Sequence, residues 1–66
     1  QPLRAVRAEA EAQVARYDYA AAVDRFKAGQ DLARRGGVAA DHIEASIIDT
    51  RLRAVQSLLK EQAAER

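Results

Sequence analysis

The chain has no cysteine, one histidine, one proline and three aromatic residues among 66 positions. Without thiols it can build no disulfide framework and no thiolate metal site. That absence does not identify a compartment. His42 has no second imidazole to share a zinc ion, and there is no His-Glu-x-x-His segment. No apolar run approaches the roughly 20 residues needed to cross a bilayer, and no stretch reads as a signal peptide. Neither sign of charge dominates. Eleven basic and ten acidic residues leave a net charge of +1, which gives no electrostatic footprint for nucleic acid or an anionic membrane.

What the chain does have is alanine. The apolar fraction is 48%, but 16 of those 32 residues are Ala and only 16 are Leu, Val, Ile, Phe or Tyr. Alanine favours helix and contributes little burial energy. A chain this short buries only about 60% of its unfolded surface. The expectation is therefore a single all-α domain over residues 1–66 that leans on a neighbour. Gln1 in place of an initiator Met fits a processed, trimmed or partial chain.

Three helices are expected. The first runs from about Pro2 to Arg16, with Pro2 in a first turn where its missing N–H costs nothing. Leu3, Val6, Ala10, Val14 and Tyr17 recur at steps of three and four. Arg7 and Glu11 have the spacing of an outer ion pair. Asp18 suits the N-cap of a second helix over residues 19–35, and so short a connection implies antiparallel neighbours. Arg34 and Arg35 oppose the negative end of that helix. Gly36-Gly37 should end it in the left-handed conformation. Asp41 and Glu44 have capping-box spacing for a third helix over 41–64, the longest of the three. Ala45, Ile48, Leu52, Val55 and Leu59 form its seam. Ile43, Ile47, Ala54 and Leu58 form a second row, which suggests two packing neighbours.

Within the second helix, Tyr19, Ala22, Phe26 and Gly29 fall three, four and three apart and share one face. Small residues at 22 and 29 admit a close backbone, while Tyr19 and Phe26 fill the space between. Val23 and Ala33 widen that face.

Residues 16–32 resemble a tetratricopeptide repeat, a stacked helix–turn–helix unit. Asp18, Tyr19, Ala22, Phe26 and Gly29 match its turn and second helix in order, and Ala10 matches a small position of its first helix. Val6, Glu9, Gln13 and Arg34 depart from the repeat, and Tyr17 stands where it has a turn glycine. The resemblance implies a three-helix antiparallel array whose third helix caps the hairpin or opens another unit. It also implies a scaffolding or protein–protein interaction role without catalysis. Residues 43–53 are similar to the tail of bacterial metalloproteases that carry such repeats, which would make the chain a noncatalytic repeat tail. A self-associating dimerisation domain is the third reading.

No catalytic, cofactor-binding or metal-binding residue is expected. His42 reads as a solvated first-turn residue, and Ser46 and Ser57 have no histidine at a suggestive spacing. Asp31 with Arg35, and Asp49 with Arg53, read as surface ion pairs. Gly36-Gly37 lacks the rest of a phosphate loop. Tyr17, Leu58 and Leu59 are the candidate interface residues. Tyrosine anchors well in grooves, and the two leucines are expected to outrun the hairpin and meet water. The expected partner is a protein or peptide, an adjoining domain or another copy, rather than nucleic acid or membrane. The compartment stays open between bacterial cytoplasm and periplasm.

Overall fold

The computed structural model describes residues 2–36 and 41–65. Three helices account for nearly all of them: α1 (Pro2–Ala15), α2 (Tyr19–Arg35) and α3 (His42–Ala64). There is no strand among the described residues. The fold is an all-α three-helix array, an elongated rod of 43 × 16 × 15 Å.

Helix boundaries follow local chemistry. The Asp18 carboxylate accepts from the Ala21 amide at 3.2 Å and caps α2. Asp41 Oδ1 accepts from the amides of Ile43 and Glu44 at 2.9 and 3.2 Å and caps α3. Each cap satisfies amides that have no partner within the helix. At its other end α2 stops at Arg35, just before the glycine pair, as expected. Gly36 has φ −71° and ψ −14°, a right-handed conformation, and its amide donates to the Leu32 carbonyl at 2.8 Å. Gly37 lies outside the described residues.

The left-handed residue sits elsewhere. Tyr17 has φ 61°. Its amide donates to the Val14 carbonyl, and the Asp18 amide reaches the Gln13 carbonyl, both at 2.9 Å. This pair of bonds is a Schellman closure of α1, in which the residue past the cap takes positive φ and is usually glycine. α1 therefore stops at Ala15.

Helix pairing can be read from contacts. Arg25 pairs with Glu9, so α1 and α2 run antiparallel. Gln30 donates to Asp49 at 2.8 Å, and Gln62 reaches the Tyr17 carbonyl, so α2 and α3 are antiparallel too. α1 and α3 run parallel, with Arg7 meeting Glu44 and Glu11 meeting Arg51.

The core lies where the three stripes meet. Leu3, Ala10, Ala22, Val23, Phe26, Ile48, Leu52 and Val55 are buried. Val14, Tyr19, Leu32, Ala33, Ala45 and Leu59 pack around them. Gly29 marks a close crossing. A Cβ built there would stand 3.0 Å from Ile48 Cδ1 and 3.1 Å from Val6 Cγ1. The missing side chain lets α1 and α3 both close on α2.

Candidate functional site

The turn end of the bundle gathers the candidate interface. Tyr17 is 72% exposed, while Tyr19 is half-buried against the core. Their rings meet edge to face, with centroids 6.3 Å apart and planes at 75°. This is a favoured geometry for two aromatic quadrupoles. From α3, Gln62 donates through Nε2 to the Tyr17 carbonyl at 3.2 Å. Tyr17, Tyr19, Leu58, Glu61, Gln62 and Glu65 line a cleft of about 220 Å³.

Leu58 and Leu59 do not stand clear of the hairpin as expected. Both are half-buried, Leu58 in the wall of the cleft and Leu59 packed on the core. The reason is the level at which α3 ends. Gln62 still touches the α1–α2 turn, so the leucines before it are covered by α2 and that turn. Tyr17 is brought beside Leu58, whereas Leu59 turns inward. Ala22, Phe26 and Gly29 are buried, and Tyr19 is the one packing-face residue that also reaches the cleft.

A second cleft, about 330 Å³, lies between α2 and α3 and is lined by Gln30, Ala33, Arg34, Ala45 and Asp49. Its polar groups already bond one another or their neighbours. Gln30 holds Asp49, and Arg34 and Arg35 reach Asp31 at 3.4 and 2.8 Å. The expected pairing of Asp49 with Arg53 gives way to this Gln30 bond.

Among the described residues, cross-helix ion pairs at three glutamates, Glu44, Glu11 and Glu9, were not foreseen from the sequence. Arg7 grips Glu44, with Nε to Oε1 at 2.6 Å and Nη2 to Oε2 at 3.2 Å, and Arg4 approaches at 4.0 Å. Arg51 grips Glu11 at 2.6 and 2.9 Å. Arg25 pairs with Glu9. The outer Arg7–Glu11 pair is thus replaced by two pairs to α3, because α3 presents an acid to one and a base to the other. The hydrogen bond from Arg7 holds the Glu44 carboxyl below its ordinary range against the opposing effect of burial, with further help from the charges of Arg7 and Arg4. A signal for Glu44 was present. It stands four residues before Ile48, in line with the buried seam, where only a satisfied carboxylate survives.

His42 is exposed at the start of α3. Among the described residues no group of His, Asp or Glu is placed to hold a metal ion, and no helix is long and apolar enough to cross a membrane. No family model, curated protein or solved structure matches this chain.

Proposed function

We propose that this chain is a protein–protein interaction module of tetratricopeptide-repeat type, with no catalytic step of its own, and that the cleft at the turn end receives a segment of its partner. The observation that carries this reading is Tyr17. A bulky side chain occupies a left-handed position where glycine would be unstrained, and its ring is 72% exposed. Strain of this kind costs about 1–3 kcal/mol and clusters at ligand clamps. An exposed tyrosine beside a half-buried leucine and a second tyrosine supplies rigid contact area at low entropic cost. The antiparallel hairpin, with small residues at its crossing and a longer third helix, is compatible with the repeat resemblance.

A second reading is favoured by the other exposed large hydrophobic residue. Ile43 is 73% exposed and leads the outer row of α3 through Ile47, Ala54 and Leu58. That row is where an adjoining repeat, another copy or the remainder of a metalloprotease would pack.

A displayed random-peptide library selected on the intact chain tests the first reading. Peptides should emerge whose affinity is lost in Tyr17→Ala and Leu58→Glu. A selection that yields only peptides indifferent to both substitutions overturns it. Sedimentation of the parent and of Ile43→Glu tests the self-association form of the second, which requires a concentration-dependent mass in the parent alone.

A further inference from the structure

The turn-end cleft has a chemistry narrower than that of a generic interface. Its six lining residues comprise two tyrosines, a leucine, a glutamine and two glutamates, with no cation among them. Neither Glu61 nor Glu65 has an ion pair or a side-chain hydrogen bond among the described residues. Of the described bases near in sequence, Arg16 and Lys60 are exposed and do not line the cleft; Arg66, next to Glu65, lies outside the described residues.

The backbone adds to this negative field. The C-terminal ends of α1 and α3 both reach this end of the rod, and neither helix carries a basic residue in its last turn. A helix C-terminus carries a partial negative charge that favours cations. Glu61 and Glu65 lie at the end of α3 where that dipole disfavours them. The positive end of α2 is also here, and Asp18 caps it. Gln62 commits its Nε2 to the Tyr17 carbonyl, and its Oε1 accepts from no described residue.

Resting on the interaction reading, we propose that this cleft binds an arginine side chain of a partner polypeptide. About 220 Å³ is less than the roughly 300 Å³ at which pockets for whole small molecules begin, so one side chain is the fitting occupant. The guanidinium stacks on a tyrosine face, and the ring quadrupole attracts its charge. Its forked donors reach the two glutamates and Gln62 Oε1, an arrangement that a planar guanidinium satisfies better than a compact ammonium. Leu58 covers the aliphatic stem. Phosphate-bearing partners are repelled by the same carboxylates.

The probe is the peptide acetyl-Gly-Gly-Arg-Gly-Gly-amide, titrated into the isotopically labelled intact chain and followed by two-dimensional NMR. A matched peptide carries the neutral isostere citrulline in place of arginine. Saturable shifts should appear at Tyr17, Tyr19, Leu58, Glu61, Gln62 and Glu65. The citrulline peptide, and the Glu61→Gln, Glu65→Gln double variant with the arginine peptide, should each bind about tenfold more weakly. Binding should also weaken when salt rises from about 0.01 M to about 1 M. Tyr17→Gly should bind less while melting close to the parent, which a merely structural tyrosine would not do. Equal binding of the two peptides, shifts confined to other residues, or no saturable shift overturns the proposal. The peptide selection separates the two ideas. Selected peptides that depend on Tyr17 and Leu58, yet keep their affinity in the glutamine double variant, refute the arginine site and leave the interaction module standing.

Discussion

Arg7 of α1 and Glu44 of α3 form a two-pronged pair across the bundle, 2.6 and 3.2 Å long, with the glutamate 6% exposed. The pair ties the start of the third helix to the middle of the first, 37 residues away in sequence. It shields the entrance to the core, since Ile48 lies one turn further along α3 and is fully buried. Every buried side-chain nitrogen and oxygen among the described residues has a partner. The burial of this carboxylate is tolerated because both of its oxygens are engaged.

That pair makes part of the stability depend on pH. The Glu44 carboxyl titrates below its ordinary range in the folded chain. A depressed carboxylate contributes stability that is fully present above its unfolded pKa and is lost as pH falls through the folded one. Glu44→Gln should therefore unfold at lower urea than the parent at neutral pH, and the gap should close in acid below the usual carboxylate range. Urea midpoints measured across that range check it. A gap that stays constant with pH would refute a role for the ionised pair.

Gly29 offers a test of packing against propensity. Alanine gains about 1 kcal/mol over glycine in a helix interior. The added Cβ, however, meets Ile48 and Val6 at 3.0 and 3.1 Å. Val6 Cγ1 is held by the stiff χ1 of a β-branched residue, and Ile48, although it meets the new methyl with its terminal Cδ1, is fully buried with little room to swing away. Overpacking costs about 1–3 kcal/mol, and Gly29→Ala should lose about 1 kcal/mol net. Chemical denaturation reads this directly. A gain in stability would mean that the crossing is looser than it looks.

Phe26 is the largest fully buried side chain. Phe26→Ala should cost about 3–5 kcal/mol, the usual price of emptying an aromatic site. Folded domains hold roughly 0.05–0.15 kcal/mol per residue, so the loss is comparable with the whole stability of so short a chain. Circular dichroism should show a largely unfolded variant. A melt like the parent's would remove Phe26 from the core.

Tyr17 separates strain from contact. A non-glycine residue in the left-handed region costs about 1–2 kcal/mol. Tyr17→Gly removes that strain but loses the edge contact with Tyr19, worth about 0.5–1.5 kcal/mol, and adds unfolded-state entropy, so it should melt close to the parent. Tyr17→Ala loses the ring and keeps the strain, so it should melt below the glycine variant. Thermal melts of the three proteins decide the point. Equal melting of the alanine and glycine variants would mean that the turn stores no strain.

Much of the architecture was legible in the residues themselves. Asp18 and Asp41 mark helix starts because a short acidic side chain satisfies the amides that follow it. The step of three and four from Tyr19 to Gly29 reads as one face because an α-helix repeats every 3.6 residues. Those are local rules, and they yielded the number, order and near-exact extent of the helices. What lay beyond them depends on residues distant in sequence. Arg7 and Glu11 have the spacing of a local pair, yet each finds a partner on α3, because only the parallel placement of α1 and α3 brings those charges together.

The turn end shows the same division. Composition and periodicity pointed to a helical chain whose second helix carries small residues on its packing face, and they set Tyr17 on the stripe of the first helix; only the repeat resemblance put it at a turn. Only the tertiary structure decided that α3 ends level with that turn. With α3 there, Leu59 points into the core, and Leu58, Glu61, Gln62 and Glu65 close a cleft with the two tyrosines. The physical reason is register. A helical pattern specifies which side chains share a face, but the level at which one helix stops against another is set by the packing of Gly29 on Ile48 and by the pairing of Arg7 with Glu44.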